Sequence, residues 1–176
     1  QDTFRIAELD REFTILSTPG HTLDHICYYS LGHLFCGDTL FNAGAGNCHN
    51  GGHPEELYET FNTKFRDLPG TTLIYPGHDY LQTNLEFTLD REPNNKEAQK
   101  LLNSVKNSET GSITTNLNME YNINTFFRLS NNTIIDRLRE KFPELSNAPN
   151  AGLLKAAEVI NPSFVAFSPL PAKVPT

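Results

Sequence analysis

What most limits how this chain can fold is a local pattern found at three places: a short apolar run, a compact turn, then a side chain able to hold a metal. The three segments read ILSTPGHT, LFCGDT and LIYPGHDY, and they deliver His21, Asp38 and His78. Apolar runs this short, bounded by glycine and proline, read as strands rather than helices. The expected strands are FTIL (13–16), HICYYS (25–30), HLFCG (33–37) and TLIY (72–75). Ser30-Leu31-Gly32 leaves room only for a tight turn, so the second and third strands should pair as an antiparallel hairpin. The first and third then point the same way. TLIY is reached through a helix, and a strand reached that way usually runs parallel to its predecessor. His21, Asp38 and His78 are 17 and 40 residues apart in sequence, and this arrangement would bring them to one edge of a sheet.

The connecting segment HPEELYETFNTKFRDL has apolar residues at 57, 58, 61, 65 and 68. Pro54 near its start, with Glu55 and Glu56 in the first turn, suits the positive end of a helix dipole. Pro69-Gly70 should end it. Beyond Tyr80 the spacing becomes helical, over about 80–91, 95–107, 131–142 and 150–160, with Asn- and Ser-rich joints between. A proline-rich tail follows from Pro162, expected to lie extended. The chain of 176 residues therefore divides into a β-rich part, residues 1–92, a helical region, 93–161, and a tail, 162–176.

Composition excludes several classes of function. The formal net charge of −7, without clustered Lys and Arg, disfavours nucleic-acid binding, which depends on neutralising phosphates. No apolar stretch is long enough to span a bilayer, and QDTFRIAELDREF has no signal-peptide character. Cys27, Cys36 and Cys48 are odd in number and lack CxxC spacing, so neither a disulfide framework nor a thiolate zinc site is expected. A reducing, intracellular compartment is the expectation, cytoplasmic or mitochondrial. Oligomeric state is left open.

Two imidazoles and a carboxylate suit zinc, iron or manganese. A bridging carboxylate can hold two metals about 3.5–4 Å apart, and bound water can fall to a pKa of about 7. Each residue taken alone has a plainer reading: a histidine in a Pro-Gly turn bonds its own loop, and Asp38 could cap a turn or helix. Three at equivalent strand ends are harder to dismiss. His25 reads as a locally bonded strand residue, His33 as part of a hairpin turn, and His49 and His53 as residues of the Gly44–Gly52 loop. Cys36 reads as a small core residue, and Cys48 has no activating partner in sequence.

At this point a resemblance enters. TPGHTLDHICYY, CGDTLFNAGAG, YPGHDYLQTNLEFTLDREPNN and NTFFRL resemble, in order, segments of glyoxalase II (hydroxyacylglutathione hydrolase), within the metallo-β-lactamase superfamily. The match covers most of residues 13–129. It implies an α+β fold, the second half of a metallo-β-lactamase αββα sandwich followed by a helical C-terminal region. It also implies hydrolysis of a thioester, S-(2-hydroxyacyl)glutathione, with two divalent metal ions, zinc foremost and iron or manganese as alternatives. His21 would bind the first metal, Asp38 would bridge both, and His78 would bind the second. Tyr80 matches a substrate-contacting tyrosine. Two departures stand out. The family's HxHxDH motif, which supplies the other ligands, is absent, so the chain is expected to be a downstream portion without the full ligand set. The loop after Asp38 reads GAGNCHNGG where the family has GCGR or GCGK and then an aromatic, which puts Asn47 and His49 at substrate-contacting positions. The basic RxxK element has no counterpart in LLKAAEVINPSF. Two other readings compete: a mononuclear-iron, persulfide dioxygenase-like enzyme that leaves His78 idle, which EPNN and NTFFRL disfavour, and a non-catalytic scaffold subunit that keeps the fold.

Overall fold

The computed structural model describes residues 2–107 and 113–141. The helix expected over 150–160 and the tail from Pro162 lie outside these residues.

A five-stranded sheet carries the first half, in the order β1-β2-β3-β4-β7. Its strands are β1 (Thr3–Ile6), β2 (Arg11–Ser17), β3 (Ile26–Ser30), β4 (His33–Gly37) and β7 (Leu73–Pro76). A two-stranded ribbon, β5 (Leu40–Phe41) and β6 (Gly44–Ala45), follows β4. β3 and β4 form the expected antiparallel hairpin, with Tyr28 opposite Phe35. β7 joins β4 in parallel, with Leu34 beside Ile74. Because β2 and β4 are each antiparallel to β3, β2, β4 and β7 all run in one direction, as the sequence predicted. β1 was not anticipated: its four residues, TFRI, fold back on β2 through a 3-10 turn at Ala7–Leu9. His33 is the first residue of β4 rather than part of the turn.

Side-chain alternation separates the two faces of the sheet. Leu16, Cys27, Leu34, Cys36 and Ile74 point into a buried cluster with Leu57, Phe61 and Phe65 from the crossover helix. Fully burying one such aromatic ring is worth roughly 3 kcal/mol. The opposite face carries Phe4, Phe13, Tyr28, Phe35 and Tyr75. Phe4 stacks on Phe13 and Phe35 on Tyr75, with ring centroids 5.2 Å apart in both pairs. Phe4, Tyr28 and Phe35 stay 37–43% exposed, so the described residues leave this aromatic face largely uncovered.

The crossover helix starts as α1 (Pro54–Glu59) and widens to a π-helix over Thr60–Phe65. Side chains explain the change of pitch. Asn62 Nδ2 donates to the Tyr58 carbonyl and Thr63 Oγ1 to the Glu59 carbonyl, at 2.8 and 2.7 Å, and such bonds compete with the backbone ladder. Four more helices follow among the described residues: α2 (Leu81–Arg91), α3 (Lys96–Lys106), α4 (Leu117–Ile123) and α5 (Asn132–Lys141). α4 was read from sequence as a polar joint. It forms because the Asn116 side chain accepts from the Met119 amide at 2.9 Å and its apolar residues Leu117 and Ile123 are buried. Phe87, Phe126, Leu129, Ile134 and Leu138 share one core cluster with the sheet residues, so the helical region packs directly onto the sheet's core.

Candidate metal centre

Parallel β2, β4 and β7 send their following loops to the same sheet edge, and the three sequence-predicted ligands meet there. Asp38 immediately follows β4. Its Oδ2 lies 3.8 Å from His21 Nε2 and 3.6 Å from His78 Nε2. The site is graded in exposure: the His21 side chain is 15% exposed, Asp38 33% and His78 52%.

His21 is held in one tautomer. Its Nδ1 lies 2.7 Å from the Asn47 carbonyl, and a carbonyl can only accept, so Nδ1 carries the proton. Nε2 is thereby turned toward Asp38, the orientation a metal-ligating imidazole needs. The turn bearing His21 is fixed from behind by the crossover helix: Thr60 Oγ1 donates to the Pro19 carbonyl at 2.7 Å. Gly20, at φ +146°, permits this approach, since a Cβ there would fall 2.4 Å from Leu57 Cα. Gly46 has a similar role, because a Cβ on it would stand 1.8 Å from the Asp38 carbonyl oxygen.

The residues read as substrate contacts are placed differently from one another. Tyr80 stacks on His78, with centroids 5.3 Å apart and planes 19° apart, and meets Phe41 edge-on at 5.3 Å. Its ring is 42% exposed, which makes a wall beside the outer imidazole. Asn47 works inwards: its carbonyl orients His21, and its side-chain oxygen accepts from the His49 amide at 3.1 Å. His49 is exposed on the same loop. His25, read from sequence as a locally bonded residue, is one, and it lies against the site. Its ring packs edge-on to His21 at 6.0 Å, and its Nδ1 lies 2.7 Å from Thr39 Oγ1. Burial and the neighbouring His21 push its pKa down, against Asp38 and Asp24, so it stands as a neutral support. The only sequence signal for this was its position four residues after His21. Burial raises the thiol pKa of Cys27 to about 12 and of Cys48 to about 11, so neither competes as a thiolate ligand.

The donor set fits a divalent metal in type, offering imidazole nitrogen and carboxylate oxygen. It does not close a site. Among the described residues no group of three or more His, Cys, Asp and Glu side chains is gathered so as to hold a metal ion by itself. Two clefts of about 900 and 600 Å³ run along α3, lined by residues such as Gln99, Asn103 and Met119. They contain none of the three ligand candidates, so the chemistry is assigned to the sheet edge.

Comparison with known proteins agrees with this geometry. Residues 1–78 match the metallo-β-lactamase superfamily model, and residues 79–156 match the model of the hydroxyacylglutathione hydrolase C-terminus. A hydroxyacylglutathione hydrolase of Nitrosococcus oceani is 54% identical over 140 residues, covering 77% of this chain and 53% of that protein. This chain is a hydroxyacylglutathione hydrolase-like member of the metallo-β-lactamase superfamily. A second hydroxyacylglutathione hydrolase, from a Polaromonas species, is 53% identical over 144 residues, covering 80% of the chain and 55% of the relative. The chain thus spans about half the length of the curated relatives it matches. Among solved structures, ETHE1 from Myxococcus xanthus aligns over 95% of this chain and 58% of its own, with a TM-score of 0.53 and 26% identity. A metallo-β-lactamase from Staphylococcus aureus aligns over 91% of this chain and 42% of its own, with a TM-score of 0.51; at 19% identity it shows the fold alone. The fold is therefore α+β of the metallo-β-lactamase type, as expected, and the family implies divalent metal ions. No helix among the described residues is long and apolar enough to cross a membrane.

Proposed function

We propose that this chain carries the downstream half of a two-metal centre that hydrolyses S-(2-hydroxyacyl)glutathione to glutathione and a 2-hydroxy acid. The observation that carries the reading is Asp38 Oδ2 placed within 3.8 Å of two imidazole nitrogens, His21 Nε2 and His78 Nε2. One carboxylate serving two imidazoles suits a bridge between two zinc ions, His21 holding one and His78 the other. When bound, such ions activate water as a nucleophile at neutral pH and polarise the thioester carbonyl. In the overall reaction the C–S bond breaks, a C–O bond forms, and one proton of water passes to the departing thiolate.

The chain's own residues set up this chemistry. The Asn47 carbonyl accepts from His21 Nδ1 and so leaves Nε2 as the ring nitrogen available for ligation. Tyr80 and Phe41 wall the exposed side of His78 and offer an aromatic surface and a phenol to the part of the substrate that does not react. Ligands from outside the described residues complete each metal, and the uncovered aromatic face of the sheet is the surface on which the layer bearing them would pack.

The test is thiol release from S-lactoylglutathione by the chain supplied with an HxHxDH-bearing upstream half, as a fusion or by co-expression, together with metal analysis. Two zinc equivalents and thiol release that is lost in Asp38→Asn are expected. Folded assembly with metal bound but no thiol release would overturn the reading, as would one iron equivalent with oxygen uptake on a persulfide.

A further inference from the structure

The loop that follows Asp38 is tied to β4 at its start, where Cys36 bonds the Thr39 amide and the Leu40 carbonyl. It turns back through the β5–β6 ribbon at Asn42 and Ala43, and Ala43 has a left-handed backbone, φ 57°. The helical region supplies the bonds that hold this turn. Asn84 Nδ2 donates to the Asn42 carbonyl at 2.8 Å, and Asn124 Nδ2 to the Gly44 carbonyl at 2.9 Å. Asn42 Nδ2 donates to Thr115 Oγ1 at 2.8 Å, and that hydroxyl donates onward to Glu120 Oε1 at 2.5 Å. Glu120 is 0% exposed. It accepts the Ala43 amide on both oxygens, at 3.1 and 3.0 Å, and accepts Asn124 Nδ2 at 2.8 Å.

Glu120 thus bonds, directly or through one hydroxyl, to the turn and to two of the side chains that grip it. A buried carboxylate is costly, and its retention calls for a specific geometric use. The turn it grips lies between two functional arms. On one side Phe41 packs against Tyr80 and His78. On the other, Ala45 and Gly46 lead to Asn47, whose carbonyl fixes the His21 tautomer.

We propose that Glu120 is a positioning residue for the metal centre, setting the 42–47 arm so that the Asn47 carbonyl holds His21 with its Nε2 free toward Asp38. The inference deepens the metal-centre reading and rests on it for its functional meaning. Glu120 touches neither metal nor substrate and acts through the loop.

The experiment reads the tautomer of His21 by ¹⁵N NMR in the full 176-residue chain, without metal. Wild type is expected to show the Nδ1-protonated form in excess. Glu120→Gln presents an amide donor where the network supplies donors, and should move the ratio toward the Nε2-protonated form by roughly tenfold, the worth of one such hydrogen bond. Thr115→Val removes only the bridging hydroxyl and should move it the same way by less, so the test survives if Glu120→Gln does not fold. Glu92→Gln is the control. It disrupts a part-buried network, Arg128–Glu92–Asn131, that does not touch the 42–44 turn, and it should leave the His21 signal in place. An unchanged tautomer in both Glu120→Gln and Thr115→Val overturns the proposal, and so does a shift of equal size in Glu92→Gln. Zinc titration of the same variants, each supplied with the HxHxDH-bearing upstream half, separates the two ideas. Imidazole signals of His21 and His78 that ignore zinc while the tautomer still follows Glu120 would sink the metal reading and leave the positioning role standing.

Discussion

Glu120 also makes a quantitative prediction about stability. Burial raises its carboxyl pKa from 4.5 to about 7, against the hydrogen bonds from Thr115, Asn124 and the Ala43 amide. In the unfolded chain it returns to the ordinary glutamate range. The folded state therefore binds the extra proton, and the slope of stability with pH is negative between the two values. Stability associated with the protonated form is complete below pH 4.5 and is lost as pH rises through 7. A gap of about 2.5 pH units corresponds to about 3 kcal/mol. Glu120→Gln has no such titration. Urea unfolding of both proteins from pH 4.5 to 8 should show the stability of wild type relative to the variant falling by about 3 kcal/mol over that range, then levelling. Cys36, which feels the Glu120 charge, has its own pKa raised by burial and stays a neutral thiol throughout. A difference that is flat with pH would refute the reasoning, and so would one that grows in favour of wild type as pH rises.

Gly46→Ala forces a methyl onto the Asp38 carbonyl and to within 2.9 Å of His21 Nδ1. It should cost about 1–3 kcal/mol, read as a lower urea midpoint. Arg128→Ala leaves Glu92 buried without the guanidinium that now holds its pKa down against the burial penalty. A loss of about 3–5 kcal/mol is expected in chemical denaturation. In the chain supplied with the HxHxDH-bearing upstream half, Asp38→Asn should keep the fold yet lower zinc affinity by more than the 10–100-fold typical of losing an outer-shell partner, measured by competition with a chromogenic chelator.

How much of this was legible in the sequence depends on the range of the interactions involved. The β3–β4 hairpin, the parallel entry of β7 and the meeting of His21, Asp38 and His78 follow from short apolar runs and tight turns, which are local signals. β1 was missed because TFRI is four residues of mixed character whose partner, β2, alone makes it a strand. α4 was missed because its Asn cap and its burial against the core are invisible in a window rich in Asn. The Asn47–His21 bond joins residues 26 apart, and the Ala43–Glu120 bond joins residues 77 apart. No periodicity encodes either. Asn47 stood out in sequence for its side chain, where the family has a cation, whereas its structural work is done by the backbone carbonyl.

On the proposed reading, the donor count makes the trio a half-site. A zinc ion in a catalytic site takes three protein ligands and keeps one position open. His21 with a bridging Asp38 would supply two to one ion, and His78 with the same Asp38 two to the other, leaving each short by at least one. The aromatic stripe from Phe4 to Tyr75 points the same way. An apolar cluster beneath and stacked, part-exposed rings above suit a sheet covered on both faces, and on that reading the covering layer is where the remaining ligands would sit.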